Sequence, residues 1–107
     1  MPMKGLFNKV KNRPTRCRYL VSTIRKGEGL FETAVFETNF FYIPRSLSRP
    51  ALAVETHSRD EAWDLHFRLA ARLAAEYPPQ LFQEFRLAPY RPMASPPASS
   101  SAPPQPD

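Results

Sequence analysis

The chain is predicted to form a small α+β domain: a three-stranded antiparallel sheet, made of a β-hairpin plus a third strand, packed on one α-helix. Three observations predict it. Residues 59–77 read as one helix, with a defined start at the Ser58 cap and a defined stop at Pro78-Pro79. Two strand-like segments, 18–25 and 30–38, flank the tetrapeptide Lys26-Gly27-Glu28-Gly29. A short apolar segment, 51–56, runs directly into the helix.

The N-terminal stretch is expected to be a basic, flexible arm over residues 1–15. Met3, Leu6, Phe7 and Val10 follow an i, i+3, i+4, i+7 spacing among Lys4, Lys9 and Lys11. That spacing suits a short basic amphipathic helix. A run this short does not persist alone as a helix in water, so a frayed leader is the plain alternative.

Residues 16–87 are expected to be the folded domain. With Gly27 at the first central position, a type II′ turn would close the hairpin. That register sets Arg18 against Glu37 and Tyr19 against Phe36, an opposite-charge pair and an aromatic pair. Ile24, Phe31, Leu20 and Val35 would then share one face, and Tyr19, Val21, Leu30, Ala34 and Phe36 the other. Both faces are apolar, whereas a hairpin covered by one helix should be polar outside. The second face needs a cover, and either Phe40-Phe41-Tyr42-Ile43 or a second copy of the chain would supply it. Core packing is the expected use of this aromatic run. Stacking on unpaired bases is the alternative, and it requires exposed rings.

Pro44 to Pro50 is a loop bracketed by prolines, with Arg45 and Arg49 four residues apart beside serines. Such a pair grips phosphate, although a solvated connection is the commoner use of a loop like this. In the third strand, Leu52, Val54 and Thr56 alternate with Ala53 and Glu55, the pattern of a half-buried strand. The helix then opens on a capping box, Ser58 accepting from the Glu61 amide and Glu61 reaching back to the Ser58 amide. At 100° per residue, Ala62, Trp63, Leu65, His66, Phe67, Leu69, Ala70, Leu73 and Tyr77 form one broad apolar arc. Pro78-Pro79 ends the helix. Leu81, Phe82 and Phe85 follow in a run too short to separate a helical turn from an edge strand.

Residues 88–107 hold seven of the thirteen prolines and almost no large apolar side chain. They are expected to be a disordered tail. Pro89-Tyr90-Arg91-Pro92 is a weak match to polyproline recognition by a protein partner. The single cysteine, Cys17, excludes an internal disulfide and cysteine-based zinc sites of the usual spacing. No window approaches the roughly 18 apolar residues of a membrane span, and the first residues lack the apolar region of a secretory signal. The expected setting is cytoplasmic.

Catalytic signals are weak. His66 lies within the apolar arc and is expected to be a core histidine, and His57 stands beside the cap. His57, Glu61 and His66 do not share a metal-ligand spacing. Cys17 has arginine neighbours that favour a thiolate but no histidine nearby. Three glycines in the whole chain leave no phosphate-cradling loop. The expectation is a protein that is not an enzyme and uses no cofactor and no metal.

The order of three strands and a helix resembles, in outline, the β-β-β-α core of double-stranded-RNA-binding domains and of small antitoxin partners. The first family places a basic pair where its last helix starts. This chain has Asp60 and Glu61 there, which argues against that mode of docking.

Charge is the clearest functional signal. The formal net charge is +5, and residues 1–26 hold eight of the fifteen basic side chains and no acidic one. Local excess of this kind marks a polyanion contact. The favoured reading is a small accessory protein that binds the nucleic-acid backbone through Lys4, Lys9, Lys11, Arg13, Arg16, Arg18, Arg45 and Arg49. The alternative is a homodimeric protein-interaction module using the aromatic sheet face and the proline-rich tail.

Overall fold

Strands β2 (Arg18–Gly27) and β3 (Leu30–Glu37) form the centre of a four-stranded sheet, with β1 (Gly5–Lys11) on one flank and β4 (Leu52–Thr56) on the other. Every neighbouring pair is antiparallel, so the sheet is a simple meander. Helices α1 (Arg59–Ala75) and α2 (Pro78–Leu87) complete the fold. This computed structural model describes residues 5–87. Lys4 and the tail expected to be disordered lie outside the described residues.

The α+β class is as expected, but among the described residues the sheet has four strands rather than three, and there are two helices rather than one. The added strand is β1, in the stretch read as helix or leader. Leu6, Phe7 and Val10 satisfy a helical spacing, yet Leu6 and Val10 also share one parity with Asn8 between them. The free edge of β2 selects the extended form, pairing Asn8 with Val21 and Val10 with Tyr19. Gly5 suits the start of this strand, because a Cβ there would stand 2.5 Å from the Thr23 carbonyl oxygen.

The hairpin register is shifted by one residue from the expected one. Tyr19 pairs with Glu37 and Leu20 with Phe36, not Arg18 with Glu37 or Tyr19 with Phe36. The turn tip is Glu28-Gly29, and Gly29 takes the left-handed conformation (φ 65°) that glycine adopts at little cost. An irregularity between Arg25 and Gly27 absorbs the difference. A one-residue slip exchanges the faces. Tyr19, Val21, Phe31, Thr33 and Val35 therefore face α1, together with Leu52 and Val54. Leu20, Ile24, Ala34 and Phe36 face the other way.

The core is a single cluster between the sheet and the helices. Leu65, Leu69 and Leu73 are fully buried on α1, and Leu81, Phe82 and Phe85 add the buried face of α2. Burial of side chains this size stabilises the fold by about 1.5–3 kcal/mol each. Phe82 meets Tyr19 edge-on at 6.0 Å, and Trp63 meets Phe31 at 6.1 Å. Two members of the expected arc lie outside the core: Phe67 and Tyr77 are exposed. The Ser58 cap forms as expected, but the Glu61 carboxylate accepts from the His57 amide, one residue before the predicted donor. Pro78-Pro79 ends α1 and also opens α2, where a first-turn proline loses no hydrogen bond.

Candidate nucleic-acid interface

Three segments, two of them consecutive in the chain and the third distant, meet at one end of the outer sheet face. The first is β1. Alternation puts Phe7, Lys9 and Lys11 outward, and Lys11 pairs across the sheet with Arg18.

The second is the β1–β2 connection, fixed by Asn12. This residue is fully buried, and its side-chain amide donates to the Leu73 and Glu76 carbonyls at the end of α1. Its side-chain oxygen accepts from the amide and hydroxyl of Thr15. The Arg13 amide donates to the Ala74 carbonyl. The turn is thereby bound to the helix C-terminus, where carbonyls otherwise lack partners. Arg16 leaves it with φ 67°, a conformation few non-glycine residues adopt.

The third segment, residues 37–45, is a tight turn after β3. The Arg45 amide donates to the Glu37 carbonyl, and the Asn39 amide to the Ile43 carbonyl. The Asn39 side-chain oxygen accepts from the amides of Phe41 and Ile43. This Asx closure holds Phe40, Phe41 and Tyr42 at the tip. The aromatic run does not enter the core: Phe40 is 66% exposed and Phe41 73%.

Arg16, Cys17, Arg18, Glu37, Thr38, Asn39, Phe40 and Arg45 line a half-open cleft of about 370 Å³. The Arg18 guanidinium lies 4.1 Å from the centre of the Phe40 ring and 5.6 Å from that of Tyr42. Lys9 reaches the other part of the cluster, 5.7 Å from the Tyr42 ring. These are cation–π separations, and they link the cations of the outer face to the aromatic tip.

The charges here differ from those elsewhere. Among the described residues, Lys9, Lys11, Arg16, Arg18 and Arg45 form no ion pair, and Glu37 is the one carboxylate lining the cleft. Lys26 is bound to Glu32 and Glu55, and Arg68 to Asp64. Arg72 is bound to both Glu76 and Glu84, which raises its pKa further, and its hydrogen bonds hold both carboxylates below their usual range. Tyr19, at the start of β2, has its hydroxyl pushed up to about 12, mainly by burial and then by Cys17 and Glu37.

Of the eight residues singled out from sequence, Lys9, Lys11 and Arg18 thus share the outer face, and Arg16, Arg18 and Arg45 line the cleft. Arg13 is exposed beside the C-terminus of α1, and Arg49 is exposed in its loop without lining the cleft. Sequence reasoning missed the contacts of Phe40 and Tyr42 with Arg18 and Lys9. The available signal was Asn39, a turn-closing residue placed directly before the aromatic run.

A second polar cluster lies on the opposite face. His66 is fully buried on α1, its Nδ1 2.8 Å from the Thr23 hydroxyl and its Nε2 2.7 Å from the Asn8 side-chain oxygen. Asn8 offers an acceptor, so Nε2 carries the proton and Nδ1 accepts from Thr23. Thr33 completes the chain, 2.6 Å from Thr23. Burial lowers the His66 pKa, which favours the neutral ring these bonds require. Both threonines are fully buried, so the cluster ties α1 to three strands and offers no open nucleophile. Among the described residues no group of side chains has a metal-binding arrangement.

No family model, curated protein or solved structure matches the chain.

Proposed function

We propose that the protein is a non-enzymatic accessory factor that binds the nucleic-acid backbone through the cationic end of its outer sheet face. One observation carries this reading. Lys9, Lys11, Arg16, Arg18 and Arg45 converge from three segments, and none is engaged in an ion pair among the described residues. Held close together without carboxylate partners, such cations repel one another, and a polyanion relieves that repulsion. Its phosphates also release condensed counterions on binding.

The test is a titration of labelled 20-base-pair DNA at several salt concentrations. With five phosphates neutralised, log affinity should fall with log salt at a slope of about −4 to −5. Arg16→Ala with Arg45→Ala should flatten the slope by about 2, at roughly 0.9 for each phosphate no longer neutralised, and Arg49→Ala should leave it unchanged. Point variants are the right tool, because removing the N-terminal residues would also remove strand β1. No binding to this duplex or to a single strand of the same length at about 50 mM salt would overturn the reading.

A second reading rests on a separate observation. Leu20, Ile24 and Phe36 on the outer face are only half-buried, and Phe7 beside them is exposed. Both helices pack on the other side. We propose that this apolar strip is where two copies of the chain associate.

A further inference from the structure

We infer that the ligand is single-stranded nucleic acid, with Phe40 and Phe41 as the platform on which its bases stack. This deepens the proposed backbone contact and rests on it.

The rings are exposed and they are held in place. Phe40 and Phe41 meet edge-to-face, 5.5 Å apart at 86°. The Asn39 side chain bonds the backbone on either side of the tip at 2.8 and 3.1 Å. The Arg18 guanidinium lies over one face of Phe40, which restrains that ring and sets a positive charge beside it. Two large apolar side chains held in water, Phe40 66% and Phe41 73% exposed, lose little conformational entropy when a flat partner arrives.

Every base has such a face, but a duplex hides it. In a single strand the bases are free to stack on aromatic side chains while the backbone follows a positive groove. Here the groove lies beside the platform. Arg16, Arg18 and Arg45 line the cleft that Phe40 borders. Lys9 and Lys11 continue the positive track along β1, two residues and so about 6.8 Å apart. That spacing is comparable to the step between phosphates in an extended strand. A lipid surface would also accept cations beside apolar groups. It has no use for rings set at right angles with a guanidinium on one face, whereas bases are recognised by such faces.

The experiment uses the full chain and four probes: a labelled 15-nucleotide thymidine strand, an abasic strand of equal length, a 15-base-pair duplex, and phosphatidylserine vesicles. The thymidine strand should bind tightest. Phe40→Ala with Phe41→Ala should weaken it by about 5- to 150-fold per stacked base. Binding of the abasic strand and the salt slope should be unchanged. Phe41→Trp should keep the affinity. Circular dichroism and the thermal midpoint of each variant should match the parent, since both rings lie outside the core.

Equal binding of thymidine and abasic strands, or equal weakening of both by the double alanine variant, would overturn the stacking and leave the backbone contact standing. Tighter binding to the duplex would do the same. Vesicle binding without preference for the base-bearing strand would assign the patch to a membrane surface and overturn the inference. No binding to any strand at about 50 mM salt would overturn both proposals.

Discussion

The side-chain amide of Asn12 donates to the Leu73 carbonyl at 2.5 Å, joining residues 61 positions apart. The same amide reaches Glu76, and the same side chain orders Thr15. One buried residue thus serves carbonyls of a helix end that otherwise lack partners and shapes the turn that delivers Arg16 and Arg18. Asn12→Ala should destabilise the fold by about 2–3 kcal/mol, because buried partners are left unsatisfied. Thr15→Val should cost about 1 kcal/mol, since it removes the hydroxyl's bond to the Asn12 side chain and a longer, exposed one from the Cys17 amide. Urea denaturation of the two variants checks the order, and equal midpoints would contradict it.

The α1 core is tested at Leu69 and its start at Ser58. Leu69→Ala should cost about 2–5 kcal/mol through the cavity it leaves, and Ser58→Ala about 1 kcal/mol through loss of the cap. An unchanged midpoint for Leu69→Ala would mean that the helix does not pack on the sheet as described.

The buried histidine makes stability depend on pH. His66 is lowered from an ordinary 6.5, so below that value the unfolded chain binds a proton that the folded chain refuses. Stability is therefore full above about 6.5 and declines as pH falls toward the folded value, by up to about 1.4 kcal/mol per pH unit. The carboxylates lowered by Arg72 titrate below 4.5, so they leave the window from pH 6.5 to about 5 to His66. His66→Gln should flatten the curve of denaturation midpoint against pH in that window. A parent curve that is already flat there would refute the assignment.

Self-association through the outer face is tested by sedimentation across a range of concentrations. A concentration-dependent dimer is expected, and Ile24→Lys should shift it to monomer by placing a charge in the apolar strip. A strict monomer at the highest soluble concentration would exclude the homodimer.

The local elements were legible because their signals are local. Ser58, Glu61 and the leucines of α1 announce a helix from within a few residues, and Pro78-Pro79 ends it. Strand β4 alternates cleanly, and the hairpin strands sit where their apolar runs sit. Lys9, Lys11, Arg16 and Arg18 were visible in an acid-free stretch, though not as a surface, and Arg45 stands outside it.

What the sequence left open was decided by contacts between distant residues. Residues 5–11 fit two periods equally well, and only the open edge of β2 makes them a strand. The hairpin register depended on whether Gly27 or Gly29 bent the chain, and a slip of one residue exchanged the two faces. The aromatic run 40–43 is as apolar as a core segment. It stays in water because Asn39 closes the turn beneath it and the helices fill the other side of the sheet. Arg16, Arg18 and Arg45 lie up to 29 positions apart in the chain, and only the meander and the turn after β3 bring their charges to one cleft.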